Sequence, residues 1–91
     1  MTDTADRTAP VTAEDIRDWL VNRVAFYLEV SADSIPPDAK FVEMGLDSVY
    51  AMTMCGDIED RFELEVEPTI AWDHPTVAAL TKHLHDVLGR R

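Results

Sequence analysis

Ser48 stands between Asp47 and a run of apolar residues in "EMGLDSVYAM" (residues 43–52). A serine so placed could cap a helix, attack a carbonyl as a nucleophile, or carry a covalently attached group. A nucleophile elbow needs Gly-x-Ser-x-Gly on a strand-to-helix turn. Leu46 and Tyr50 occupy the two glycine positions here, and no strand pattern precedes them. Asp73 and His74 could supply the rest of a triad, but a chain this small shows no oxyanion hole, so hydrolysis is set aside. Serine opens helices well, yet Asp47 can do so equally. With Asp47 as the cap, Ser48 falls in the first turn with its hydroxyl outward. An exposed hydroxyl there suits attachment through a phosphodiester: the free amides and dipole of a helix start favour an anion, and Gly45 leaves the approach open.

The other reactive side chains point to packing or solvent. His83 and His85 are two apart on a helical segment and face nearly opposite sides, so they cannot share an ion. His74 stands alone, and all three histidines are expected in solvent near the last helix, favouring its negative end. No metal site is expected. Cys55 falls on an inward row, where a free cysteine acts as a small hydrophobe. The Met52–Met54 pair, Trp19 and Trp72 read as packing residues.

Three amphipathic segments must position Ser48. Thr12 with Asp15 three residues on is a variant capping box. From there Ile16, Leu20, Val24 and Leu28 recur every four residues, with Trp19 and Tyr27 on the same side, which predicts a helix of about 17 residues. Arg17, Asp18, Asn22 and Arg23 fall on its wet side. "EVSADSIPPDAKFVEMGLD" breaks the helix with a Pro-Pro pair but keeps Ile35, Phe41, Met44 and Leu46, so it reads as a long loop strapped over the core. A second helix runs from about Ser48 to Phe62, with Ala51, Met54, Cys55, Ile58 and Phe62 inward and Asp57, Glu59, Asp60 and Arg61 mostly outward. Gly56 in its middle costs about 1 kcal/mol relative to Ala. "ELEVEP" alternates like a strand but has no partner, so it is assigned to loop. "TIAW" forms a single helical turn. "DHPTVAALTKHLHDVLGRR" is the last helix, with Val77, Leu80, Leu84 and Leu88 as its apolar stripe, Pro75 near its first turn and Gly89 after its end. The fold class is all-α: a small four-helix bundle of three long helices and one short one, with a long loop between helices 1 and 2. The expected organisation is a disordered tail over 1–11, one domain over 12–89 and a C-terminal tail at 90–91.

At 91 residues the chain holds one domain with a thin core, burying about 60–65% of its unfolded surface. The 46% hydrophobic content argues against global disorder. A net charge of −10 excludes nucleic acid, whose phosphates need clustered Lys and Arg, and opposes docking on anionic membranes. A partner should present a basic surface. One cysteine excludes an internal disulfide and suits a reducing cytosol. No apolar stretch approaches the roughly 18 residues of a membrane span, and the acidic N-terminus is unlike a signal peptide. A cytoplasmic location is expected.

The stretch "FVEMGLDSVYAM" resembles the phosphopantetheine attachment motif of acyl carrier proteins, Gly-x-Asp-Ser followed by an apolar residue. "PDAKFVEMGLDS" resembles the family's lead-in, and "DIEDRFELEVEPTIAWDHPTVAALTKHL" resembles the third loop and last helix of polyketide synthase carriers. The similarity covers roughly residues 12 to 88. It implies a monomeric, non-catalytic four-helix carrier working in the cytoplasm. A phosphopantetheinyl transferase would load 4′-phosphopantetheine from coenzyme A onto Ser48, and the arm's thiol would hold acyl groups as thioesters. Gly45, Leu46 and Asp47 complete the matching attachment motif, Asp47 being expected near the transferase and its metal.

Val49 and Met52 match the apolar positions that partners touch, while Tyr50 is bulkier than usual and Gly56 replaces a large contact residue of fatty-acid carriers. Between Glu43 and Glu67 the acids Glu43, Asp47, Asp57, Glu59, Asp60, Glu63, Glu65 and Glu67 face one base, Arg61. They flank the strip formed by Val49, Met52 and Gly56, so these three with Asp57 and Asp60 are the candidate docking face, the acids steering a basic rim. The expected partners are a transferase, an acyl-activating ligase or acyltransferase, and a ketosynthase or other pathway enzyme. Delivery in trans within a polyketide or related pathway is the favoured reading. A peptidyl carrier of a nonribosomal pathway is the first alternative, although Met44-Gly45 replaces the Gly-Gly usual there. An acidic helical adaptor retaining the fold is the second.

Overall fold

The computed structural model describes residues 11–90, and the segments expected as tails otherwise lie outside the described residues. Helix α1 spans Ala13–Leu28. The Thr12 hydroxyl accepts from the Asp15 amide at 3.0 Å and the Asp15 carboxylate accepts from the Thr12 amide at 3.3 Å, so the capping box closes in both directions. Ile16, Leu20, Val24 and Tyr27 are buried, as the four-residue recurrence requires, and Leu28 is half-buried against the same core. Arg23 departs from expectation. It is half-buried and pairs with Asp57 across the bundle at 3.6 Å, because α2 passes beside that face of α1. The wet side is Arg17, Asp18 and Asn22.

α1 ends where Glu29 turns left-handed at φ 57° and returns its amide to Ala25 and Phe26. The loop that follows is tied down. It makes two 3-10 turns, Ala32–Ser34 and Phe41–Met44, and buries Ile35, Phe41 and Leu46. The Phe41 amide donates to the Pro75 carbonyl at 2.8 Å, and the Ala78 amide donates to the Pro37 carbonyl at 3.0 Å. An isolated antiparallel bridge joins Lys40 to Thr76. These bonds strap the loop across the start of the last helix and satisfy backbone that would otherwise be buried unpaired.

Helix α2 spans Ser48–Phe62, with Ala51, Met54, Cys55, Ile58 and Phe62 buried. Residues 64–69 form no helix or strand. Helix α3 is the single turn Ile70–Asp73, and helix α4 spans Val77–Gly89. Thr76 caps α4 by accepting from the Ala79 amide at 3.0 Å, with Pro75 directly before the cap. Gly89 is the last helical residue, not the first beyond it, because Arg90 continues in right-handed geometry and returns its amide to Val87 and Leu88. Val77, Leu80 and Leu84 face inward, and α1 makes its most extensive helix contact with α4. Trp19 closes the core edge-on against Phe62, with ring centroids 5.2 Å apart. Two expected packing residues are outside it: Met52 is 65% and Trp72 48% exposed. Each lies on a helix whose inward row is already filled by its neighbours.

Candidate functional site: the start of helix α2

The approach to Ser48 is shaped by Gly45, which adopts φ +102°, a region that residues with a Cβ enter only with strain. The nearest obstacle to an added Cβ is Leu28 Cδ2 at 3.8 Å, an ordinary contact. The glycine is thus demanded by backbone conformation more than by room, which corrects the sequence reading. Leu46 is buried next to it and its amide returns to the Phe41 carbonyl at 3.1 Å. The chain therefore reaches Asp47 from a fixed direction.

Asp47 is the N-cap of α2. Its Oδ1 accepts from the Val49 amide at 3.1 Å and the Tyr50 amide at 3.2 Å, and its carbonyl accepts from Ala51 at 3.0 Å. Ser48, in the first turn, is exposed, and no hydrogen bond involves its hydroxyl among the described residues. Two of the amides expected to attract an anion, those of Val49 and Tyr50, are already taken by the Asp47 carboxylate. What the site offers is an unencumbered primary alcohol on a rigid turn, beside a carboxylate. Such an alcohol is what a phosphodiester link requires, so these residues fit the attached group.

Beside the serine, Val49 is 69% and Met52 65% exposed, and further along the same helix Gly56 and Asp60 are also exposed. Val42, 57% exposed on the 3-10 turn leading into Gly45, was missed by the sequence reading. Its signal is its position beside the buried Phe41, which turns it to the opposite side.

Asp57 departs from the expected outward row. The Tyr27 hydroxyl donates to Asp57 Oδ2, and Arg23 Nε lies 3.6 Å from the same oxygen. Burial and then the Asp57 carboxylate push the Tyr27 phenol well above its usual range, so it stays a donor. The Arg23 guanidinium covers the Phe26 ring at 5.0 Å and the Tyr27 ring at 5.6 Å. Glu59 is likewise occupied, accepting from the Val66 amide at 3.1 Å and anchoring the chain after α2.

The remaining candidates are elsewhere. Cys55 is buried, and its thiol donates to the Glu67 carbonyl at 3.4 Å. Burial and then Glu59 push that thiol up, which suits a packing role. His74 does not stand alone: its ring stacks on His83 with centroids 4.0 Å apart and planes 17° apart. Both are half-buried and only His85 is fully in solvent, because the turn after α3 folds back onto α4. Among the described residues no group of three or more His, Cys, Asp or Glu could hold a metal ion, and no helix is long and apolar enough to cross a membrane.

A short helix packed beside three longer ones, with an exposed serine opening the second, is the architecture of a carrier domain. Residues 18–84 match the family described as the phosphopantetheine attachment site, so the chain belongs to that family, whose cofactor is 4′-phosphopantetheine. It is 39% identical to a free-standing peptidyl carrier protein of an Acinetobacter baumannii secondary metabolic pathway, with a TM-score of 0.81, covering 84% of this chain and 95% of that one. An acyl carrier protein from Anabaena with a variant phosphopantetheinylation-site sequence is 32% identical, TM-score 0.81, covering 87% and 90%. A polyketide synthase of Bacillus subtilis is 30% identical over 73 residues, 80% of this chain and 1% of that protein. The chain thus spans a small fraction of the curated relatives it matches.

Proposed function

We propose that this protein is an acyl carrier that bears its phosphopantetheine on Ser48 and delivers polyketide or related intermediates in trans to biosynthetic enzymes. The observation that carries this reading is the exposed, unbonded Ser48 hydroxyl directly after the capping Asp47, inside the residues that match the attachment family. When bound, the arm supplies a thiol that carries acyl groups as thioesters. The chain's own part is to present the alcohol, hold its direction through Gly45, Leu46 and Asp47, and offer Val49, Met52, Gly56 and Asp60 as the docking strip. None of these residues is asked to do catalysis. A phosphopantetheinyl transferase would load the chain, a ligase or acyltransferase would charge it, and a ketosynthase or similar enzyme with a basic rim would receive the cargo.

Incubation with coenzyme A and a broad-specificity transferase should add one phosphopantetheine mass to the intact chain. Ser48→Ala should abolish the gain, and modification that persists in the variant would overturn the assignment. A peptidyl carrier remains the second reading, favoured by the likeness to the Acinetobacter baumannii protein. Charging by an amino-acid-activating enzyme in preference to an acyl-activating one would establish it. A chain never modified at all would be left with the adaptor reading.

A further inference from the structure

The stacked histidines join two elements that share little else. His74 ends α3 and His83 lies in the middle of α4, and their rings meet nearly parallel at 4.0 Å. Both line a cavity of about 190 Å³ whose apolar wall includes Leu64, Val66, Ile70 and Leu84. The backbone also holds the turn, since the His74 amide donates to Ile70 at 2.9 Å within α3. Nearly parallel rings in contact are compatible with neutral imidazoles. Two imidazolium ions in the same place repel with an energy set by their separation and the surrounding water.

We propose that the His74–His83 stack is a proton-sensitive latch: neutral, it fastens the turn after α3 to α4, and when both rings take up protons from solvent it parts and frees that turn. The charged neighbours come from every packed element. Asp73 lies beside His74 on its own turn, and Glu65 and Glu67 line the cavity from the segment after α2. Lys82, His85 and Asp86 lie along the α4 side, with Arg90 beyond them. Asp86 and Asp73 favour a charged His83, while Arg90 and His74 oppose it. Burial is the largest influence, and it holds His83 below the usual imidazole range. His83 therefore stays neutral below the usual imidazole range, and the latch opens on the acid side of neutrality.

The test is an NMR titration of the full chain from pH 8 to pH 5, following the histidine ring signals together with backbone amide exchange over residues 70–76. His83 should titrate below the usual imidazole range. Amide protection over 70–76, compared at each pH after correction for intrinsic exchange, should fall about fivefold through the His83 transition, the weight of two unit charges 4 Å apart in a water-like medium. Protection in α1 should not change across the same step. His83→Phe, and separately His74→Phe, keep a stacking ring without a charge and should remove the pH response. Protection over 70–76 that ignores the His83 transition overturns the latch. So does a response that survives in both phenylalanine variants.

Discussion

Asp47 and Ser48 are adjacent, exposed and polar, yet they do opposite things for the fold. Asp47 satisfies two amides at the start of α2, whereas the Ser48 hydroxyl satisfies none among the described residues. Asp47→Ala should therefore lower stability by about 1 kcal/mol, the usual cost of a lost cap, while Ser48→Ala should leave it nearly unchanged. Urea unfolding followed by circular dichroism measures both. A loss in Ser48→Ala with none in Asp47→Ala would mean that the serine, not the aspartate, caps the helix. The same comparison separates folding from loading: an unloaded Ser48→Ala chain with native stability would assign the loss to the proposed attachment hydroxyl and not to the fold.

The three long helices were legible in the sequence because each repeats an apolar residue every three or four positions, and α1 and α2 also open at caps that the sequence shows, whereas Thr76 at the start of α4 was masked by the neighbouring Pro75. The buried rows of α1, α2 and α4 follow those repeats. Phe62 shows how much rests on them, since it is buried and meets Trp19 edge-on at 5.2 Å. Phe62→Ala should cost about 3–5 kcal/mol, and an unchanged urea midpoint would contradict the shared core. Gly56 makes the opposite case. A Cβ there meets nothing within 4 Å, so Gly56→Ala should raise stability by about 1 kcal/mol, seen as a higher thermal midpoint; no gain would mean the helix is not limited by that glycine. What periodicity could not show are contacts between residues far apart in sequence. Tyr27 reaches Asp57 thirty residues on, and His74 meets His83 only because α3 doubles back. Helical spacing assigns each of these residues to a face but does not say what arrives there.

Across the whole molecule, a net charge of −10 would steer any basic partner, but not every acid is available to do so. Asp57 is engaged by Tyr27 and Arg23, Glu59 by the Val66 amide, and Asp15 by the α1 cap. Altering those acids would disturb the fold as well as the field. Asp60 and Glu63 are exposed at the far end of α2, and Asp33 and Asp38 are exposed on the long loop. Asp60→Lys with Glu63→Lys should slow loading about two- to tenfold, given the small worth of each exposed pair. Asp33→Lys with Asp38→Lys should do less, and rising salt should shrink the difference. Transferase kinetics at two ionic strengths would decide; equal slowing from both pairs would show that only net charge matters.

The two hydrogen bonds that the Asp47 carboxylate accepts from the Val49 and Tyr50 amides also hold the backbone on either side of Ser48. A group hinged there would sweep a dome above the start of α2, its other hemisphere closed off by the body of the bundle. An enzyme that seats itself on the strip beside the serine would thus set the origin and heading of the swing in one step, leaving only the torsions of the arm to be searched. The local abundance of cargo at that enzyme's pocket would then depend on arm length and pocket depth, so carriers that share this mount could exchange partners whenever their pockets lie at the same radius.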